Sequence, residues 1–458
     1  MANTEARLPE NKMGVMPVNK LILNMAWPMI VSMLVQAMYN VVDSIFVSRL
    51  SENALTAVSL AFPVQTVLIA MGAGAGVGVN AILSRAMGQK DQKTVDRVAG
   101  NAWFIAIANS IVFLIVGLLL SRPFYVSQKA NAEIVEYGTQ YLSICCCFSV
   151  GIYFQLMGEK LLQGTGRTFH SMITQSVGAI TNIILDPIMI FGLFGCPAMG
   201  VAGAAWATVI GQILGGVLAI IMNVKYNKDI NFKLKYIKPR WGIIKRIYQV
   251  GLPSIIMQSI GSVMTYSMNL ILIGFTETAA AVFGVYFKIQ SLFFMPVLGL
   301  NNGLIPIIAY NYGAGKRKRI VKTVKLGIVY ASCITLLALT VFQLLPDQLL
   351  LMFDASENML SIGRVALRVC SISYLFAGFC IATGAVFQAM GNGIYSMIVS
   401  FMRQIVVLIP VAYLLSLTGE LAAVWWAFPI AELMSLTVSA ILLARIYNKI
   451  IKHIPDNA

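Results

Sequence analysis

Long apolar runs are the feature that most constrains how this chain can fold. A run of about 20 apolar residues carries a helix across the hydrocarbon core of a bilayer, and such runs recur throughout the 458 residues. Only 11% of the residues are charged, whereas 58% are hydrophobic. We therefore predict an all-α polytopic membrane protein with twelve transmembrane helices. The predicted spans are 20–49, 54–84, 98–120, 137–160, 168–194, 200–224, 246–273, 279–309, 322–345, 363–388, 394–417 and 421–445.

Basic residues are concentrated in the loops on one side of the predicted membrane. A net charge of +15 would by itself fit a nucleic-acid partner, but cytoplasmic loops of membrane proteins carry an excess of Lys and Arg. We therefore expect both termini in the cytoplasm, a multi-pass location in the cell inner (plasma) membrane, the lipid bilayer as partner and no nucleic acid. The loops assigned to the cytoplasm contain Arg85, Lys90, Lys93, Arg97, residues 225–246, Lys316, Arg317, Lys318 and Arg319.

A Gly-rich run at residues 71–80 is the one stretch that could be mistaken for a nucleotide-binding loop. It lies inside a predicted span and lacks a following Gly-Lys-Ser/Thr, so its small residues indicate close helix packing. No nucleophile–base pair is visible in the sequence. We expect a protein that is not an enzyme, needs no cofactor and takes its energy from an ion gradient.

The two halves of the chain repeat one pattern. At an offset of 225 residues Pro28 aligns with Pro253 and Gly88 with Gly313. The predicted organisation is a cytoplasmic N-terminal segment (1–19), a six-helix bundle (20–224), a basic cytoplasmic linker (225–245), a second six-helix bundle (246–447) and a cytoplasmic tail (448–458).

An even number of spans in each half gives the two copies the same membrane orientation. Such parallel repeats are related by an axis along the membrane normal, and transporters of this kind place their sites near mid-membrane at or within the halves. The pattern favours transport by alternating access, although a repeat alone also fits a passive channel.

The first span carries a polar stripe that ends in a carboxylate. Gln36, Tyr39, Asn40 and Asp43 lie three, four and seven residues apart, and therefore share one face of a helix. A charge inside a membrane costs about 3 kcal/mol even on lenient scales, so it marks a functional site by default. We expect the stripe to face protein or water, and Pro28 to be a point where the helix bends.

Polar groups on the fifth and sixth spans are predicted to lie at the depth of Asp43. Counting along the helices places Asp43, Asp186 and Thr208 about 9 to 12 Å from the outer ends of their spans, and Asn182 lies one turn from Asp186. Carboxylate, amide and hydroxyl oxygens suit a hard cation such as Na⁺. Two adjacent carboxylates also suit a proton, since they resist being ionised together. The alternative is a structural network that joins the three helices.

The fourth span carries further polar side chains. Gln155 and Glu159 are one helical turn apart toward the cytoplasmic end, where they would line a cavity or meet interfacial water. Tyr141 near the other end either reaches the level of Asp43 or is an interfacial tyrosine.

The second half lacks the acids of the first. The repeat places Met268 and Val411 at the positions of Asp43 and Asp186. Lys288, Arg403 and Glu432 are instead expected near mid-membrane. We interpret Glu432, paired with Arg403 or Lys288, as a structural bridge rather than a substrate contact.

The chain resembles the multidrug and toxic compound extrusion (MATE) transporters, most closely the prokaryotic branch that includes the DNA-damage-inducible F type. The resemblance covers nearly the whole length. It rests on the two six-helix repeats, on Pro28 and Asp43 in the first span, on QGTGR at 163–167 and on NIILDP at 182–187. Another branch has acids in its seventh span, and residues 259–273 here contain none.

The resemblance implies roles for particular residues. It assigns coupling-ion binding, of Na⁺ or H⁺, to Asp43, Asn182, Asp186 and Thr208, and a position in the substrate cavity to Gln36 and Tyr39. With the residues taken from the spans themselves, the predicted cavity set is Gln36, Tyr39, Asn40, Tyr141, Gln155 and Glu159.

These features together predict a secondary active multidrug efflux antiporter. It would export amphipathic or cationic organic compounds in exchange for H⁺ or Na⁺ by alternating access, acting as a monomer. One alternative is a lipid-linked oligosaccharide or metabolite flippase of the same superfamily, for which only Lys288 and Arg403 offer cavity cations. The alternative of another class is a passive channel.

Overall fold

Twelve helical spans make up most of the protein. A computed structural model of the chain describes residues 10–128, 130–353 and 355–455. Within these residues ten helices are continuous and apolar enough to cross a membrane, and two further spans are helix pairs bent by 45° and 49°. The spans are α1 Val18–Ser48, α2 Glu52–Gly88, α3 Gln92–Ser127, α4 Ala132–Cys147 with Val150–Gly164, α5 Thr168–Phe191, α6 Val201–Tyr226, α7 Trp241–Ile273, α8 Glu277–Gly313, α9 Arg317–Leu344, α10 Glu357–Ser371 with Tyr374–Ala389, α11 Gly393–Ser416 and α12 Leu421–His453.

The predicted all-α membrane fold with twelve spans is therefore confirmed, each bent pair being one span. Two short helices, Lys12–Val15 and Pro346–Leu351, lie outside the spans. Of the predicted terminal segments, residues 1–9 and 456–458 lie outside the described residues.

Equivalent helices of the two halves begin with equivalent caps. Ser51 accepts a hydrogen bond from the backbone N–H of Ala54 at the start of α2, and Thr276 accepts one from Ala279 at the start of α8, both at 3.0 Å. A side-chain oxygen at this position satisfies a backbone donor that the helix leaves free. The repeat therefore preserves the local signal that starts each helix as well as its apolar run.

The halves are joined near one end of the bundle, called here the terminal end because α1 begins and α12 finishes there. One apolar core combines the first turns of α1 with α8, α9 and α10. The core of the first half runs along that half and takes in Ile247 of α7 near the terminal end, whereas the second half has a separate core toward the opposite, far end. Hydrophobic burial thus binds the halves at the terminal end more strongly than at the far end.

Two glycines allow a close approach between the halves. A Cβ on Gly88 of α2 would overlap the carbonyl oxygen of Tyr310 on α8, and a Cβ on Gly313 of α8 would overlap that of Arg85 on α2. The two contacts are the same contact made in both directions, since the offset of 225 relates Arg85 to Tyr310 and Gly88 to Gly313. The helices can pack this tightly only because both positions lack a side chain.

The linker between the halves is docked on the first half. Asp96 of α3 accepts hydrogen bonds from the backbone and side chain of Asn231, at 2.8 and 3.2 Å. Arg167, before α5, pairs with Asp229 at 2.9 Å. The loop therefore forms part of the terminal end instead of hanging free between the bundles.

The segment before α1 also connects the halves. Asn11 donates to the carbonyl of Thr165 in the first half at 3.0 Å, while Asn311 in the second half donates to the carbonyl of Met13 at 3.0 Å. Lys316 pairs with Glu10 at 2.6 Å. This strap, residues 10–16, crosses the seam between the bundles at the terminal end.

Candidate functional site

Three of the four members of the polar stripe of α1, Gln36, Tyr39 and Asp43, face α5 and α6. Gln36 Oε1 accepts a hydrogen bond from Gln175 Nε2 of α5 at 2.9 Å. Tyr39 lies within hydrogen-bond reach of Thr208 of α6. Asn40 is exposed on the surface of α1, so it points away from the contacts that the other members of the stripe make.

Two carboxyl groups from different helices meet at the end of this stripe. Asp43 of α1 and Asp186 of α5 lie within hydrogen-bond reach of each other. Asp186 is fully buried, with 0% of its surface exposed. Asp43 Oδ1 is also buried, and no donor among the described residues reaches it. Because carboxylates only accept hydrogen bonds, a stable contact here needs a shared proton or a cation between the two groups.

An amide and a hydroxyl complete the cluster. In the orientation that satisfies both ends of its amide, Asn182 donates from Nδ2 to Asp186 Oδ2 at 3.2 Å. Its Oδ1 then accepts from the hydroxyl of Thr208 at 3.2 Å and from the backbone N–H of Thr208 at 3.0 Å. Thr208, which also contacts Tyr39, therefore links α6 to both α1 and α5.

The structure thus brings together all four residues predicted to bind the coupling ion. Pro187 lies inside α5, and because proline has no N–H the carbonyl of Ile183 receives no helical hydrogen bond from it. The cluster offers carboxylate, hydroxyl and carbonyl oxygens without a cationic side chain among the contacts described. That donor set is suited to Na⁺, which like other hard cations takes oxygen ligands, and equally to a proton between the carboxyl groups.

Two residues of this region escaped prediction from the sequence. Gln65 of α2 donates to the hydroxyl of Tyr141 at 3.1 Å, and Cys145 lies beside both. Tyr141 is 2% exposed, so it belongs to the buried surroundings of Asp43 and not to the membrane interface. The repeat pairs Gln65 with Gln290. This retention of a polar residue in both halves was the sequence signal that could have identified Gln65.

Gln155 and Glu159 lie in a packed cluster away from the Asp43 carboxylate. Gln155 donates to Glu159 Oε1 at 3.0 Å, and Thr174 of α5 donates to the same oxygen at 3.3 Å. Glu159 is 4% exposed. The structure therefore places this pair between α4 and α5, and its role in a substrate cavity stays a prediction.

A buried lysine next to this cluster was also missed. Lys160 is 8% exposed and donates to Gln163 Oε1 at 2.9 Å. Its Nζ also reaches Asn302 Oδ1 of α8 at 3.4 Å. Helical spacing relates residues of one helix only. It therefore could not indicate that this lysine has a partner in the other half.

The second half has an ion pair of its own, at positions that the repeat does not relate to Asp43 and Asp186. Arg403 Nη1 of α11 lies 3.2 Å from Glu432 Oε2 of α12. Lys288, the other candidate partner, is exposed on α8. The predicted neutralising pair is thus present, with Arg403 as the partner.

Two cavities lie against this ion pair. One, of about 760 Å³, is lined by α2 of the first half and by helices of the second, including both Arg403 and Glu432. The other, of about 390 Å³, lies within the second half and is lined by Arg403 and Ser435. The larger cavity lies toward the far end, where the two halves have separate cores.

Comparison with known proteins agrees with the architecture. The MatE family model matches the chain twice, over residues 28–188 and 253–414. The two matched segments begin at the two prolines that the internal repeat pairs. Each contains the first five spans of its half, so the acidic cluster lies largely inside the first match.

The relatives are transporters of similar length. The multidrug export protein MepA of Staphylococcus haemolyticus (strain JCSC1435) is 26% identical over 432 residues, covering 94% of each chain. A structure described as the outward-facing conformation of a multidrug resistance MATE family transporter superposes with a TM-score of 0.90 at 28% identity, covering 97% of this chain and 99% of that one. A MATE structure in a bent conformation gives a TM-score of 0.88 at 28% identity, covering 95% and 96%.

Proposed function

The chain belongs to the MatE family, and from that premise we propose that it is a secondary active antiporter that exports amphipathic or cationic organic compounds in exchange for H⁺ or Na⁺. The observation that carries the proposal is the buried contact between Asp43 and Asp186, with Asp43 Oδ1 left without a donor. Such a pair is stable only when a proton or cation accompanies it. Export of drugs is supported by the relatives, which are named as multidrug export proteins.

Occupancy of the site is expected to change how α1 packs. A bound cation or proton neutralises the charge between α1 and α5, whereas its loss leaves two carboxylates facing each other. Repulsion in a medium of low dielectric is strong, and α1 carries Pro28 fifteen residues before Asp43. We infer that α1 bends or shifts on release of the ion, and that this movement is coupled to the substrate cavity.

The contact pattern supports alternating access. The halves share a core at the terminal end and enclose a cavity of about 760 Å³ toward the far end. If the basic loops lie in the cytoplasm, as the positive-inside rule predicts, this arrangement is open toward the outside. The reverse state would require the glycine contact of Gly88 and Gly313 to separate while the far ends close.

Efflux from vesicles under separately imposed gradients tests the function. Purified protein is reconstituted into proteoliposomes loaded with a fluorescent organic cation such as ethidium, and either a Na⁺ gradient or a pH gradient is applied. Uphill movement of the dye under one gradient, and none without it, is the expected result. Dye movement that ignores both gradients identifies a passive channel and contradicts the proposal.

A further inference from the structure

The ion pair of the second half is presented by an irregular turn of α11. Residues Met402–Leu408 form a π-helical turn between regular helical segments, and Pro410 just beyond it has no N–H to continue the regular pattern. A π-turn is rare and is frequently found at functional sites. Arg403 and Gln404 lie in this turn, and both line the larger cavity.

The pair has binding capacity that it does not use internally. Glu432 is 6% exposed, and its Oε1 is buried with no hydrogen bond from the described residues. Ser435, one turn further along α12, also has a buried hydroxyl without a partner. The weak thiol donor Cys380 lies beside both. A buried carboxylate oxygen with no partner is unfavourable, and a ligand carrying N–H donors would relieve this.

Arg403 is similarly only partly engaged. A guanidinium group has five N–H donors in a planar fork, and in the described residues Arg403 makes one side-chain hydrogen bond, through Nη1 to Glu432. Its side chain is 34% exposed, and it lines both the larger and the smaller cavity. The remaining donors therefore face space that is open to a ligand, and a carboxylate matches their geometry.

The walls around the pair suit an apolar body. The larger cavity combines aromatic side chains from both halves with amide groups on α7, α8 and α11. The aromatic members are Phe62, Tyr266, Phe287 and Phe428, and the amide members include Gln258 and Gln290. Predominantly apolar walls with a few converging polar groups are typical of sites for small organic molecules.

We propose that the Arg403–Glu432 pair binds an amphipathic zwitterion, with Glu432 taking the ammonium group, Arg403 taking the carboxylate and the aromatic wall taking the apolar body. The two side chains touch, so the ligand must carry its opposite charges close together, as an α-amino acid head does. This inference names a substrate class for the transporter proposed above. Only the export of the zwitterion rests on that proposed function, whereas its binding does not.

Charge balance explains why a zwitterion fits better than a simple ion. A ligand with one positive charge alone meets Arg403 beside the carboxylate, and a ligand with one negative charge alone meets Glu432 beside the guanidinium. Like charges at such short range disfavour binding, whereas a zwitterion presents an opposite charge to each partner. It also leaves the net charge of the cavity unchanged, so no uncompensated charge is buried.

Equilibrium binding of three matched probes tests the proposal. Nε-dansyl-lysine has a compact zwitterionic head and an environment-sensitive fluorescent tail, its methyl ester keeps only the ammonium, and its Nα-acetyl derivative keeps only the carboxylate. With the full-length protein in nanodiscs and no gradient, we expect the zwitterion to bind at least about tenfold more tightly than either derivative. Equal binding of the ester, or no binding of any probe, overturns the proposal.

Variants separate the two charges. Arg403→Gln removes the group that binds the carboxylate, so the zwitterion should no longer bind more tightly than the ester. Glu432→Gln removes the group that binds the ammonium, so the zwitterion should no longer bind more tightly than the acetyl derivative. The exchanged pair R403E with E432R restores opposite charges and should recover zwitterion binding if either single change merely disturbs folding. Lys288→Gln removes an exposed cation that lines neither cavity and should leave all three affinities unchanged.

Two results would show a purely structural ion pair and so overturn the site. One is unchanged probe preference in both single variants that remain folded, and the other is loss of binding in the exchanged pair despite a normal melting curve. Failure of the proposed transport is distinguished by the ethidium assay on the same preparation. Selective binding without uphill efflux supports the zwitterion site and contradicts the antiport function. Uphill efflux without selective binding supports the antiport function and contradicts the zwitterion site.

Discussion

Lys160 Nζ on α4 lies 3.4 Å from Asn302 Oδ1 on α8, which gives a buried ammonium group of the first half a polar partner in the second. Lysine is rarely buried to this extent unless its charge is satisfied. The same ammonium donates to Gln163 within its own half. The contact between the halves is therefore polar as well as apolar near the middle of α8.

Replacing Asn302 with Leu should destabilise the protein. The change leaves a buried ammonium without one of its acceptors, which is expected to lower the free energy of unfolding by about 1–3 kcal/mol. Thermal unfolding of the detergent-solubilised protein measures the effect. In the double variant with Lys160→Met the loss should largely disappear, and additive losses in the double-mutant cycle would show that the two side chains do not interact.

Asp43→Asn is expected to abolish gradient-driven efflux while the protein stays folded in the membrane. The amide keeps the size of the side chain but cannot take up a proton or neutralise a cation in the same way. Ethidium efflux is compared with that of Glu136→Gln, which removes an exposed acid near the far end. Normal uphill efflux by the Asp43 variant would remove Asp43 from the coupling site.

Thr208→Val should weaken ion coupling without abolishing it. The hydroxyl contacts both Tyr39 and the amide of Asn182, and removing one such hydrogen bond is worth about 1 to 1.5 kcal/mol. The concentration of H⁺ or Na⁺ that gives half-maximal efflux should rise by up to about tenfold. The maximal rate at saturating ion serves as the internal control, and an unchanged half-maximal concentration would contradict a role for this hydroxyl.

Pro28→Ala should slow transport more than it disturbs folding. The alanine restores an N–H that can bond to the carbonyl of Asn24, which stiffens α1 between its terminal part and Asp43. The matched control is Pro253→Ala in α7, the repeat-related helix that has Met268 in place of the acid. If both variants transport equally well at wild-type rate, bending at Pro28 is not part of the cycle.

The strap at the terminal end should make stability depend on pH. A hydrogen bond from Lys316 holds the pKa of Glu10 below its ordinary value of 4.5. A lowered pKa in the folded state means that the pair stabilises the protein above pH 4.5 and that this contribution fades as pH falls through the lowered value. The pair is partly exposed, so solvent screening limits the effect to about 1 kcal/mol or less.

Melting temperatures measured against pH check this expectation. Glu10→Gln should melt below the wild type at neutral pH and converge with it in acid. The variant Glu136→Gln changes an exposed acid that forms no ion pair among the described residues, and it should show no comparable convergence. A difference that grows as the pH falls would contradict the assigned ion pair.

The sequence was sufficient to predict the spans, the repeat and the residues of the acidic cluster. Hydropathy reports a property that every lipid-facing helix must have, and helical spacing places Gln36, Tyr39 and Asp43 on one face whatever surrounds them. Counting depth along three helices was enough to bring Asp186 and Thr208 to the same level. These rules depend on the local sequence of each helix, so they hold however the helices pack against one another.

Other features depend on contacts that no local rule contains. α4 bends by 45° between Cys147 and Val150, where the chain has no proline to signal a break. The contact of Lys160 with Asn302 joins residues 142 positions apart. Helical spacing left Glu159 either in a cavity or at interfacial water, and it could not show the buried contacts with Gln155 and Thr174, because the position of α5 relative to α4 is set by packing.

The reciprocal contact of Gly88 and Gly313 has the symmetry of an isologous interface, in which residue i of one copy meets residue j of the other and the reverse. Each half therefore carries both complementary surfaces of that contact. A six-helix half could meet a second copy of itself in the same way. Within the fused chain this contact keeps its two-fold symmetry while other parts of the halves diverge, since the first half carries Asp43 and Asp186 and the second carries the Arg403–Glu432 ion pair.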